Sequence, residues 1–150
     1  MRDGKSSERG WGSWVYAALA GVQFALLLDM TFDWRWKLHE YGMRAAIAEG
    51  AYGQRRAPQL VALVILAAVL IVCGVAILYR FRHRAGVALA VTATLLSVGL
   101  WCSEAISYHF LDRVLYLMIG KAMLVSFLWL GLAVITCCGL CRDALSQRAR

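Results

Sequence analysis

The chain has 150 residues, of which 61% are hydrophobic and 17% charged, with one proline and a formal net charge of +7. Soluble domains sit near ~45–50% apolar and ~25% charged, so this chain is too apolar for disorder and for an ordinary water-soluble domain. Its mean hydropathy of +0.63 leaves an integral membrane protein as the expected class.

A hydrocarbon core of ~30 Å needs roughly 20 apolar residues in a helix, and four stretches meet that requirement. The first runs over about 11–31, with Gln23 as the strongly polar member of Trp14 to Leu28. It follows a short basic leader, but no small-x-small cleavage site follows Leu28, so it is expected to be a retained helix. The second covers 60–79 without a charge, and Pro58 suits its first turn. The third covers about 85–108 and carries Glu104 towards its end; the fourth covers about 114–141 and carries Lys121. Unbroken runs without period-2 alternation indicate helices and not barrel strands. The expected fold is therefore all-α, a four-helix transmembrane bundle forming a single domain over 1–150.

Four spans put both termini and the turn at 80–84 on one side. That side holds nine Lys/Arg and the other seven. The compact Arg80-Phe81-Arg82-His83-Arg84 turn is the decisive feature, because short loops weigh most in the positive-inside rule. Both termini are expected in the cytoplasm, with net charges of +6 inside and +1 outside. The excess of positive charge thus reads as a topology signal and does not point to nucleic acid.

Between the first two spans, residues 34–49 have helical periodicity with two apolar stripes. One is Trp34, Leu38, Tyr41, Ala45 and Ala48; the other is Trp36, Met43 and Ile47. Lys37, Glu40 and Arg44 lie between them, as expected of an extracytoplasmic amphipathic helix resting on lipid, the bundle or a partner. Around the tight turn near His109 to Arg113, Glu104 and Lys121 fall at comparable depths on antiparallel neighbours, so a Glu104–Lys121 ion pair is expected. Ionisable groups inside a span are costly and invite a functional reading. Asp29, His109 and Asp112 belong to the same outer polar layer.

The elements Gly50-Ala51-Tyr52-Gly53-Gln54-Arg55-Arg56 and Ser107-Tyr108-His109-Phe110-Leu111-Asp112 resemble a group of small bacterial integral membrane proteins of uncharacterised function. That group carries a G-x-Y-x-x-R-R element and a S-x-H-x-x-D element in this order. The resemblance covers about residues 45–140, and it implies a bacterial inner membrane and the multi-pass architecture. It marks Tyr52, Arg55, Arg56, His109 and Asp112, whose simplest role would be arginine–carboxylate clamping of the two outer loops.

Five cysteines make no disulfide framework. Cys138-Gly139-Leu140-Cys141 is a C-x-x-C sequence similar to that of membrane thiol oxidoreductases, but it falls on the expected cytoplasmic side without a second pair. His39 and His109 are the one conceivable haem pair; no cofactor and no metal site is expected. Ala17, Gly21 and Ala25, at four-residue spacing, form a helix-packing stripe that could serve the bundle or a homo-oligomer, with Gln23 hydrogen-bonding across a helix contact. The leading expectation is a non-enzymatic accessory or structural subunit that contacts the bilayer and a membrane-protein partner through the first span or the 34–49 segment. The alternatives are a small transporter or membrane enzyme using the outer polar layer, and a thiol-redox or haem protein.

Overall fold

The computed structural model describes residues 4–50 and 52–148, with side chains from Trp14 onward. Of the charges that set the expected topology, Arg2 and Arg150 lie outside the described residues, as do the side chains of Lys5 and Arg9. Six α-helices follow in order: α1 (Gly4–Phe32), α2 (Trp34–Ala48), α3 (Arg56–Arg80), α4 (Ala85–Ile106), α5 (His109–Leu115) and α6 (Leu124–Arg148). A single 3₁₀ turn (Tyr52–Gln54) precedes α3, and a hairpin, β1 (Met118–Ile119) with β2 (Ala122–Met123), precedes α6. Helices α1, α3, α4 and α6 are long and apolar enough to cross a membrane. The protein is all-α in class.

The last span differs from expectation. Residues 114–141 would make a helix longer than the ~20 residues a bilayer needs, and the chain divides them. Ser107 takes a left-handed conformation (φ 49°) that ends α4, and α5 carries Asp112 and Arg113. Gly120 supplies the positive φ (66°) at the first central position of a two-residue hairpin. Lys121 occupies the second and is exposed. The long helix then starts at Leu124, where the charge-free run begins, and continues to Arg148.

Helix α4 is the centre of the fold and packs against α1, α2, α3 and α6. Most of the buried residues belong to it, and they alternate by four and three: Gly86, Ala90, Ala93, Ser97, then half-buried Leu100, then Glu104. The facing row on α6 has the same rhythm: Val125, half-buried Trp129 and Leu132, then Thr136, Gly139 and Asp143. Two antiparallel seven-residue repeats therefore mesh along one seam. Small residues let the backbones approach. A Cβ on Gly86 would sit 2.6 Å from the Gly139 carbonyl oxygen, and one on Gly139 would sit 2.7 Å from that of Gly86 and 2.8 Å from the Ala90 nitrogen. On the opposite side, Gly99 accepts Leu70 of α3, whose methyl carbon lies 2.6 Å from where a Cβ would be.

The Ala17/Gly21/Ala25 stripe is not part of this packing. All three residues are exposed, and a Cβ on Gly21 would meet nothing within 4 Å. The face that α1 turns inward carries Tyr16, Leu19, Gln23, Leu26 and Asp29, because polar contacts to α4 and α6 lie there. Helix α2 likewise turns neither whole apolar stripe inward. Its half-buried positions are Arg35, His39, Met43 and Ala46, while Trp34, Leu38, Tyr41 and Ile47 are exposed.

Gly139→Val should destabilise the fold by about 1–3 kcal/mol or more, since the backbone of α4 cannot yield as a side chain could. Gly21→Val should stay within ~0.5 kcal/mol of the native protein. Denaturant unfolding of the two variants in mixed micelles, followed by circular dichroism, measures the difference.

Candidate functional site

The polar side chains between the helices fall into three groups. One lies where Tyr16 of α1 and the start of α4 meet the end of α6. There Arg84 Nη2 is 2.6 Å from Asp143 Oδ2, and Gln147 Nε2 donates to the same oxygen at 2.7 Å. The Tyr16 hydroxyl also donates to Asp143, and Gln147 Nε2 is 3.0 Å from that hydroxyl. The hydrogen bond to Asp143 raises the Arg84 pKa above its ordinary value, so the guanidinium stays charged at any practicable pH. Halfway along the bundle, Gln23 Nε2 donates to Thr94 Oγ1 at 3.1 Å and lies 3.5 Å from Thr136 Oγ1, joining α1, α4 and α6 at one level.

The third group, at the other end, is the candidate site. Asp29, 2% exposed, is the last acidic residue of α1 before the chain turns into α2 through left-handed Asp33 (φ 53°). Its Oδ1 accepts the Arg35 backbone N–H at 3.0 Å. Asp29 thus does what Asp33 at the N-cap does not, since Asp33 makes no capping side-chain bond. A carboxylate facing the first turn of a helix satisfies an orphan N–H and complements the dipole. That turn aims the Arg35 side chain back at the bundle. Its Nη1 lies 3.0 Å from Glu104 Oε2, and its Nε lies 3.7 Å from Asp29 Oδ2. The other Glu104 oxygen accepts the Trp129 indole N–H at 2.9 Å. The Arg35 side chain is 16% exposed, and the two carboxylate side chains are 3% exposed each.

Tyr116, in the connection after α5, completes the group. Its ring stacks on Trp36 of α2 at a centroid separation of 6.3 Å. Burial, followed by the nearby charges of Glu104 and Asp112, raises the Tyr116 pKa above the usual tyrosine value. Folding therefore favours the neutral phenol. That contribution is whole below the ordinary tyrosine pKa and is lost as pH rises through the raised one.

The Glu104–Lys121 pair expected above does not form. Glu104 is partnered by Arg35 and Trp129, while Lys121 stands exposed in the hairpin turn that displaced the start of α6. Asp112 accepts the Ser107 hydroxyl at 2.7 Å, holding α5 to the end of α4, and its other oxygen is buried without a hydrogen bond. His109 is exposed, with its ring edge towards Phe110. Arg55 stacks over the Tyr52 ring at 3.9 Å, and among the described residues neither Arg55 nor Arg56 forms an ion pair with a carboxylate. The link between the two outer connections is Gln59, whose amide donates to the Ile106 and Ser107 carbonyls at 3.2 Å each, occupying the free end of α4. All five cysteines are free, with Cys137, Cys138 and Cys141 exposed and Cys73 and Cys102 half-buried.

Arg35, Trp129, Tyr116 and Gln59 are missing from the sequence-based selection. Trp129, Thr136 and Asp143 follow one another at seven-residue spacing, two turns of one helix face. That signal was available to a search for polar residues along an apolar run. Arg35 had no comparable mark beyond lying six residues after Asp29.

Comparison with family models, with curated proteins and with solved structures finds no match to the chain.

Removing one partner of a buried ion pair typically costs 3–5 kcal/mol. Arg35→Met, which removes the cation that faces both buried acids, should therefore destabilise by about 3–5 kcal/mol. Glu104→Gln should cost less, because Asp29 and Arg35 then balance. Lys121→Met should be neutral within ~0.5 kcal/mol. Denaturant unfolding of the three variants ranks them; a Lys121 variant as damaging as the Arg35 variant would contradict the pairing described.

Proposed function

We propose that the chain is a multi-pass protein of the bacterial cytoplasmic membrane that acts as a non-enzymatic accessory subunit, holding a partner's transmembrane helix against α1. The resemblance of residues 45–140 to small bacterial membrane proteins supports the compartment. The basic 80–84 turn supports cytoplasmic termini. In the fold, Tyr16 of α1, the start of α4 and the end of α6 meet at one level.

The observation that carries the docking role is the outward Ala17/Gly21/Ala25 face. Between lipid-embedded helices, affinity comes from close backbone approach, which small residues permit. The close-packing seam inside the bundle uses other glycines, so this face is spare. On α2, Trp34, Leu38 and Tyr41 are exposed as well, and aromatic side chains of this kind settle at a membrane boundary. The polar groups between the helices act in this reading as fasteners: each ties three or four helices together and keeps the outer face of α1 rigid.

A rival reading, a small transporter or membrane enzyme, draws on the burial of Asp29, Arg35 and Glu104, the kind of intramembrane charge that marks ion or substrate paths. In that case Glu104→Gln would abolish a flux or turnover while leaving stability intact.

A photo-crosslinking residue placed at position 21 or 25 in native membranes should give a discrete adduct, whereas one at the exposed α3 positions 64 or 71 should not. The adduct mass tells a second copy from a different protein. Gly21→Ile should reduce the position-25 adduct at least tenfold without lowering the amount of protein in the membrane. Equal labelling at all four positions, or none anywhere, would refute the docking role. A reporter fused after Arg150 should be active only in the cytoplasm.

A further inference from the structure

The outer cluster does not balance. Asp29 and Glu104 bring two carboxylates to one guanidinium, on side chains 3% exposed for both acids; Trp129 and Tyr116 are neutral, and half-buried His39, one turn after Arg35 on α2, sets its ring against Trp36 and pairs with neither acid. Asp112, whose charge also reaches Tyr116, adds no cation. If both acids were ionised, the group would hold one uncompensated negative charge away from water, at the end of helices read above as membrane-spanning. Isolated buried charge is not sustained: it acquires a counter-charge or a proton.

The hydrogen bonds show where the deficit lies. Glu104 accepts the Trp129 indole N–H on Oε1, and its Oε2 stands 3.0 Å from Arg35 Nη1 as an ion-pair contact. Asp29 uses Oδ1 for the Arg35 amide, but its Oδ2 is buried without a hydrogen bond, the Arg35 Nε standing 3.7 Å away. Arg35 Nε and Nη1 likewise have no hydrogen-bond partner, so the guanidinium meets both acids through charge and not through formed hydrogen bonds. The site therefore has an acid oxygen with free hydrogen-bonding capacity, a second acid competing for the same cation, and a partly exposed arginine at its edge leading outward.

We propose that Asp29, Arg35 and Glu104 form a proton-binding site, in which the two carboxyl groups together hold one exchangeable proton at neutral pH. Two acids that interact through a shared cation titrate as a pair, so the proton belongs to the couple. Binding transfers one proton from water to a carboxylate oxygen and leaves the cluster neutral: one acid, one carboxylate, one guanidinium. Release restores the negative charge beside Arg35, the residue that links α2 to Asp29 of α1 and Glu104 of α4.

The proposal rests on the membrane-spanning reading, which resistance of the protein to carbonate extraction tests separately. The proton is read by infrared spectroscopy of the full chain in lipid nanodiscs, over pH ~5 to ~8, where unperturbed carboxylic acids are ionised at the upper end. The wild-type protein should show the C=O stretch of a protonated carboxylic acid at neutral pH. Asp29→Asn or Glu104→Gln, each of which leaves one carboxylate beside Arg35, should abolish that band, while Asp143→Asn should keep it. Loss in either of the two outer-cluster variants supports the site. Absence of the band from the wild type at neutral pH, or its survival in both variants, overturns it. If one variant does not fold, the wild-type titration and the other variant still decide.

Discussion

Everything in this bundle depends on how closely α4 approaches α6. In the membrane-spanning reading proposed above, lipid removes the hydrophobic drive between helices, so cohesion comes from contact and polar pairing. At the Gly86/Gly139 crossing a methyl group on either residue would overlap the other helix's backbone. That proximity brings the polar side chains of both helices within reach: Arg84 to Asp143 at one end of the seam, Thr94 beside Thr136 through Gln23 halfway, and Glu104 to Trp129 at the far end. Helix α1 adds one polar residue to each level, which makes the three-helix core a set of polar fastenings in apolar surroundings.

The fastenings are unequal. The Arg84–Asp143 group has one carboxylate with a guanidinium, an amide and a phenol pointing at it, and is saturated. The Gln23 level is uncharged. The Asp29–Arg35–Glu104 level carries an excess acid and unsatisfied atoms. It also ties down α2, the helix with exposed Trp34, Leu38 and Tyr41. The least settled charge thus sits under an exposed helix, which places the proposed proton site beneath a surface of the proposed accessory role.

Much of the architecture was legible in the residues. The apolar lengths located four long helices, and the 34–49 periodicity located α2 almost to the residue. The start of α6 was not, because a long apolar run offers no internal mark of where a hairpin of mostly apolar residues should interrupt it; Gly120 and Lys121 were the only cues. At the site, Asp29, Glu104 and Asp112 were recognised as polar groups in the wrong surroundings for their type, which needs no partner to be seen. Their partners were misassigned. Glu104 was matched with Lys121 by depth alone, although depth does not specify the direction in which a side chain leaves its helix.

Hydrophobic length, charge asymmetry between the connections and helical period are sums over neighbouring residues, and so the chain by itself determined an all-α protein with four long apolar helices. Which glycines meet, which face of α1 remains free and which arginine answers Glu104 depend on the rotation of each helix about its own axis. A change of one residue turns a helix by about 100°, and only the packed tertiary structure, with α4 at its centre, decided those rotations.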